Sequence, residues 1–128
     1  MNKRLSILIA VVVLSAFVLS ACKVAGQLTD VSNRGKAFMA ALRDADHATS
    51  WSMLTPAVQQ EVGSYDDWVS FATPRNFDTF SFSANNIENN VAQLDGEATL
   101  AGDTYLVTLV LDKSGDQWFV SGINFSLK

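Results

Sequence analysis

The single histidine of this chain, His47, is the first candidate for catalysis, because two carboxylates lie close to it in sequence. With Asp44 or Asp46 as a partner, His47 could act as a general acid or base. A metal site would need ligands that converge, but Asp44 and Asp46 point to different helical faces. His47 also falls at the junction of two expected helices, which favours a structural or surface role. We therefore expect no metal, no cofactor and no enzyme, with acid–base catalysis by His47 as an alternative.

Aromatic side chains form the second candidate site. Pockets for small molecules are mostly apolar with a few polar groups, and aromatic residues could line one here. The candidate pocket residues are Trp51, Trp68, Phe71, Phe80 and Trp118. A small domain also needs bulky side chains for its core, so we expect most of the aromatic residues to be core.

Composition excludes several other classes of function. The 13 acidic residues outnumber the 9 basic ones, which argues against nucleic acid as a partner. A single cysteine cannot form a disulfide framework. The sequence has no serine–histidine–aspartate order, no phosphate-binding loop and no dinucleotide fingerprint.

The position of the single cysteine carries a further signal. A basic start (Lys3, Arg4) and an apolar stretch over residues 5–19 lead into the run Leu19-Ser20-Ala21-Cys22. This arrangement resembles a bacterial lipoprotein signal peptide. The resemblance implies cleavage before Cys22, a diacylglycerol on its thiol, and a further acyl chain such as palmitate on its amino group.

The signal-peptide hypothesis divides the chain into residues 1–21, a lipidated cysteine with a short tether over 22–29, and one domain over 30–128. The alternative is an uncleaved membrane anchor, because residues 5–21 are barely long enough to cross a bilayer. Lys23, where aspartate would signal retention in the inner membrane, favours the outer membrane if the envelope is Gram-negative. Loss of the two basic residues at the start takes the formal net charge from −4 to −6, so the lipid alone would hold the domain to the membrane.

Capping residues and apolar spacing predict helices in the first half of the domain. The expected N-cap residues are Asp30, Asp46, Thr55 (before a proline) and Ser64. The first helix is expected to reach about Ala45. The last two are expected to end at Gly63 and Pro74.

Alternating apolar residues and turn signals predict strands in the second half. The expected strands cover residues 77–84, 87–94, 97–101, 104–112 and 117–127. Asp95-Gly96 is expected to form a two-residue hairpin turn. Gly122 is expected to mark a bulge or bend in the last strand.

Helices followed by an antiparallel meander predict an α+β fold, with the N-terminal helices packed on the sheet. Three runs then resemble one family: residues 36–46, residues 51–56 and residues 109–123, which end in Gln117-Trp118-Phe119-Val120-Ser121-Gly122-Ile123. The resemblance is to the NTF2-like (cystatin-like) superfamily, especially its small DUF4878-type bacterial lipoproteins. It implies a cone formed by the helices and a curved sheet, and it says almost nothing of activity.

The combined prediction is a lipid-anchored protein of the cell envelope that acts as a non-enzymatic binding or interaction module. The expected partners are a membrane, through the lipid on Cys22, and an envelope protein or a second copy of the chain. The alternative is a carrier or sensor of a small apolar ligand that uses an aromatic-lined cavity.

Overall fold

The computed structural model describes residues 26–128. Cys22, the expected signal peptide and the first part of the expected tether lie outside the described residues. Among the residues that are described, no helix has the length and apolar character needed to cross a membrane.

Helix α1 covers residues 26–43, so the chain is helical from the first residue described. The expected N-cap at Asp30 is therefore wrong, because Asp30 lies inside the helix. No proline interrupts residues 26–29, and these residues extend the helix instead of forming a tether. The helix stops short of Ala45, which has a positive φ of 55°.

Three short helices follow, and their caps confirm the sequence predictions. They are α2 (His47–Ser52), α3 (Pro56–Val62) and α4 (Tyr65–Ala72), with a 3₁₀ turn at Thr73–Arg75. The side chains of Asp46, Thr55 and Ser64 each accept a hydrogen bond from a backbone N–H in the first turn. Each cap satisfies a donor that the start of a helix leaves free.

Four antiparallel strands form one open sheet in the order β1-β2-β3-β4. Their bounds are β1 (Thr79–Glu88), β2 (Val91–Leu100), β3 (Asp103–Ser114) and β4 (Gln117–Leu127). Helices followed by this meander make the fold α+β, as predicted. The expected bulge in the last strand is confirmed: Val110 pairs with Gly122 but Leu111 pairs with Val120, so Ser121 is the extra residue.

The prediction of a turn at Asp95-Gly96 is wrong, because both residues lie inside β2. The turn lies instead at Asn89 and Asn90, whose φ angles of 52° and 64° suit a tight hairpin. Gly96 is needed for a different reason. A Cβ there would clash with the carbonyl oxygen of Ser81 on β1. The strand expected over residues 87–94 is therefore wrong, because it contains the turn: its first two residues belong to β1, and residues 91–94 join the strand expected over 97–101 in β2.

The core lies between the helices and one face of the sheet. Alternate residues of β2 and β3 are buried, which places one face of the sheet against the helices. The largest fully buried side chains include Trp68, Phe38, Phe77 and Met39. The outer face carries mostly polar residues, and there Thr108 donates a hydrogen bond to Asp95 over 2.9 Å.

Candidate functional site

Two of the five candidate aromatic residues, Trp68 and Phe71, line a groove between α3, α4 and β4. We call it the α3–β4 groove, and its volume is about 400 Å³. Its lining residues are Val58, Glu61, Val62, Trp68, Phe71, Ser121, Gly122 and Ile123. The rings of Trp68 and Phe71 stack with centroids 5.3 Å apart and planes 28° apart, so the buried Trp68 supports the half-buried Phe71 ring of the groove wall.

Trp68 is held in place by a buried hydrogen-bond chain. Its indole Nε1 donates to Ser50 Oγ over 2.8 Å. Ser50 Oγ in turn donates to the main-chain oxygen of His47 over 3.2 Å. Ser50 is fully buried, so this chain satisfies a hydroxyl that would otherwise be costly to bury. The link fixes α4 to α2 and sets the angle of the indole.

The β4 bulge shapes the opposite wall of the groove. Ser121 is the extra residue, and its hydroxyl donates to an Asp112 carboxylate oxygen over 3.1 Å. Beyond it, Ile123 and Phe125 are half-buried and their partners on β3, Leu109 and Val107, are buried in the core. The bulge therefore carries the second half of β4 past the helices with its apolar side chains still on the core side.

The outer edge of β4 has two parts. At Trp118–Val120, which we call the capped edge, the outward main-chain groups form hydrogen bonds with residues outside the sheet. Arg34 Nε donates to the Trp118 carbonyl over 2.7 Å. The Val120 N–H donates to Met53 O over 2.7 Å, and the Val120 carbonyl accepts from Thr55 N–H over 2.9 Å.

The remainder, Gly122–Leu127, is the open edge. Lys128 N–H donates to Thr104 O, so that pair is hydrogen-bonded and the adjacent pair, Leu127 with Tyr105, is not. By the same alternation, the main-chain N–H and C=O groups of Ile123, Phe125 and Leu127 point away from β3. Within residues 26–128, no backbone group outside the sheet pairs with these three residues.

Two charged residues flank the open edge. Glu61 is exposed and lines the groove beside Gly122 and Ile123. Arg75 helps line a second cavity, of about 210 Å³, together with Phe125. Its guanidinium lies 3.9 Å from the centroid of the Phe71 ring and donates to the Phe71 carbonyl over 2.7 Å. Neither charge has an ion-pair partner among residues 26–128.

The other three candidate pocket residues lie apart from the groove. Trp118 is 3% exposed and lines a separate cavity beside α1 and the β3–β4 turn. Trp51 meets the ring of Tyr65 edge-on at 6.1 Å. Phe80 is half-buried on β1, with the guanidinium of Arg43 5.6 Å from its ring centroid. The structure thus brings together only two of the five aromatic residues.

The residues of the acid–base alternative are engaged separately. Asp46 caps α2 and accepts from both the backbone and the hydroxyl of Thr49. Asp44 pairs with Arg43, and that hydrogen bond lowers the pKa of the Asp44 carboxyl. His47 Nδ1 is buried without a hydrogen-bond partner in the described part of the chain. No group of three metal-ligating side chains is found within the described residues.

The pocket predicted from the sequence lacks six residues of the groove: Val58, Glu61, Val62, Ser121, Gly122 and Ile123. Val58 and Val62 are spaced four apart on α3, a spacing that places them on one helical face. Ile123 and Phe125 alternate after the bulge, which marks the apolar face of a strand. Both spacings can be recognised in the sequence, but only the packing of α3 beside β4 brings these residues into one groove.

No family model matches this chain, and no curated protein sequence matches it significantly.

Proposed function

We propose that this protein is a lipid-anchored binding module of the cell envelope, and that the α3–β4 groove is its binding site. The observation that carries the proposal is the half-buried Phe71 ring, supported by buried Trp68, beside a strand edge whose outward backbone groups have no partner among residues 26–128. Apolar surface next to free hydrogen-bonding groups favours binding, because a ligand can satisfy both at once.

The anchor would fix the direction in which the groove faces. Cys22 precedes Gly26 by four residues, which span at most about 14 Å in any conformation. The start of α1 lies beside the β1–β2 turn, where Gln27, Leu28 and Asn90 line a common cavity. Phe125 lies toward the other end of the sheet, so the open edge of β4 would face away from the membrane.

An NTF2-like cone is part of this proposal. The order of elements, with helices first and then an antiparallel meander, supports it. The bulges in β1 and β4 also support it, because bulges bend a sheet and increase its local twist.

A carrier of a small apolar ligand is the second candidate, and the size of the groove favours it. Ligand pockets usually measure roughly 300–1,000 Å³, and the α3–β4 groove, at about 400 Å³, falls in that range. A carrier would retain its ligand through purification, whereas an interaction module would exchange its partner.

The anchor is tested by Cys22→Ser in the full chain. Loss of the thiol should abolish labelling with radioactive palmitate and shift the protein from the membrane to the soluble fraction. Ser20→Ala is the matched control, because it keeps a small residue in the signal and should leave labelling intact. Membrane retention of Cys22→Ser would instead support an uncleaved anchor.

The groove is tested by Val62→Trp, which places an indole in it. Native mass spectra of the full chain, extracted in detergent, should show any retained ligand as added mass. Loss of that mass in Val62→Trp, but not in Gln93→Trp on the outer face, would identify a carrier. If Val62→Trp changes neither the added mass nor the binding of an extended peptide, the groove is not the binding site.

A further inference from the structure

We infer that the open edge of β4 binds an extended segment of another polypeptide as an added parallel strand, with a basic residue before it and an acidic residue after it. This inference rests on the proposed function and names the partner class for the same groove. It draws on the free backbone groups, on the neighbouring segment of the chain, and on the two unpaired charges.

The free backbone groups supply the affinity. Ile123, Phe125 and Leu127 direct their N–H and C=O groups outward along the open edge. A row of unpaired groups on an edge strand is a template for another strand. Addition of a strand is an established mode of peptide recognition, in which the main chain gives affinity and alternate side chains give specificity.

The chain itself already uses this edge in the same way. Leu54 forms an isolated parallel bridge with Val120, and the flanking residues Met53 and Thr55 make the two hydrogen bonds. Helix α3 then begins at Pro56, and within residues 26–128 no backbone group outside the sheet pairs with Ile123, Phe125 or Leu127. A parallel peptide would continue the line of this short segment along β4.

The groove beside the edge accepts alternate side chains. Ile123 and Phe125 have half-buried side chains on the core side of β4. Ile123 lines the groove with Val62 and Phe71, and Phe125 lines the second cavity with Arg75. A strand added next to them would place every second side chain on the same side. Small β-branched residues suit these positions, because a pleated, half-buried surface favours them.

The charges of Glu61 and Arg75 determine the direction of the added strand. Glu61 lies at the Gly122 end of the open edge, and Arg75 lies near Phe125 at the other end. Neither has an ion-pair partner within the described residues. A parallel strand with a cation first and an anion last would meet both charges, whereas an antiparallel strand of the same sequence would meet two like charges.

The other edge of the sheet does not offer a comparable site. Strand β1 is interrupted by a bulge at Ser83, its middle residues, Ala84, Asn85 and Asn86, are exposed, and the cavity beside it is lined mostly by asparagine and glutamine. Bulges and short polar stretches are devices that discourage pairing at an edge.

The probe is the peptide Lys-Thr-Val-Thr-Val-Thr-Asp with blocked termini and a fluorescent label. Its affinity for the full chain, held by its own anchor in phosphatidylcholine nanodiscs, is measured by fluorescence anisotropy. The matched control is the same peptide with the terminal Lys and Asp exchanged. We expect the control to bind at least about 10-fold more weakly, since both charges would then face like charges.

N-methylation of the peptide identifies strand addition and its direction. In a parallel pair, the residues whose side chains lie in the groove direct their own amides away from β4. Methylation of the three Thr amides should therefore abolish binding, and methylation of the two Val amides should preserve it. The reverse pattern would overturn the parallel direction, and equal binding by both would overturn strand addition.

Leu127 provides the matched test on the protein. It is 64% exposed and its N–H points outward, so Leu127→Pro removes one donor of the open edge without breaking a bond to β3. We expect binding to weaken by about 3- to 10-fold, the effect of one lost hydrogen bond. Leu127→Ala keeps the N–H and should bind within about 2-fold of the original chain.

The outcomes separate this inference from the proposed function. If Val62→Trp abolishes peptide binding while Leu127→Pro and N-methylation have no effect, the groove is the binding site but strand addition is wrong. If the peptide does not bind at all, this inference fails, and the ligand adduct decides the function separately. If the chain forms a dimer that Leu127→Pro dissociates, a second copy occupies the edge and the inference is overturned.

Discussion

The two parts of the β4 edge have the same geometry and opposite surroundings. At the capped edge, Arg34 and residues 53–55 satisfy the outward main-chain groups of Trp118 and Val120. At the open edge, past the bulge, the described residues supply no such partner. Burial follows the same division: Trp118 and Val120 are 3% and 0% exposed, whereas Ile123 and Phe125 are half-buried.

This difference teaches that edge protection and core packing come from the same elements here. Residues 53–55 cover the edge and also bring Met53 and Leu54 into the core. Past the bulge the backbone cover ends, whereas Ile123 and Phe125 still pack against the core, with the rings of Phe125 and Phe77 4.9 Å apart. A partner strand on the open edge would therefore add backbone hydrogen bonds without replacing any made by residues 26–128.

The largest effect should come from Trp118→Ala at the capped edge. Removal of a buried indole leaves a cavity, so we expect a loss of about 3–5 kcal/mol in the free energy of unfolding. Urea denaturation followed by circular dichroism measures it. Trp118→Phe keeps most of the volume and should cost less. A loss below about 1 kcal/mol for the alanine variant would show that the indole is not part of the core.

Arg34→Met should have the next largest effect. It keeps the apolar stem but leaves the Trp118 carbonyl without its donor, which should cost about 1–3 kcal/mol in the free energy of unfolding. Arg43→Met is the matched control, since its exposed guanidinium pairs with the adjacent Asp44 and lies 5.6 Å from the Phe80 ring centroid, and it should change the melting temperature little. Equal effects of the two variants would contradict the role assigned to Arg34.

A smaller effect is expected for Ile123→Ala at the open edge. Its side chain is half-buried, so we expect a loss of about 1 kcal/mol, against about 2 kcal/mol for Val120→Ala in the fully buried position. The same urea titration compares them. A larger loss at Ile123 than at Val120 would mean that the groove belongs to the core, and would remove the contrast between the two edges.

The lowest free energies of opening are expected for the backbone amides of the open edge. In hydrogen exchange followed by NMR, the amides of Ile123, Phe125 and Leu127 should open at a free energy near zero. The Val120 amide, bonded to Met53 O, should be strongly protected. Protection of the three outer amides in the isolated full chain would show that something already covers the edge. Their protection on addition of the peptide would support strand addition.

Most of the correct predictions rest on local features of the sequence. The caps at Asp46, Thr55 and Ser64 depend on a side chain and a backbone donor a few residues away, so sequence spacing suffices to find them. The bulge at Gly122 was also predicted correctly. The error at Asp95-Gly96 has a non-local cause, because Gly96 answers to the close approach of Ser81 on another strand. The residue spacing within β2 cannot reveal the contact between Gly96 and Ser81.

The sequence by itself determined the order of the elements, the α+β class and the apolar faces, because periodicity and capping are local properties. Only the tertiary structure decided which aromatic residues meet, since Trp68 and Phe71 share a wall while Trp118 packs near α1. It also decided which part of β4 stays open. That outcome depends on where α3 turns away from the sheet, and the direction in which a helix leaves a strand is set by packing between distant residues.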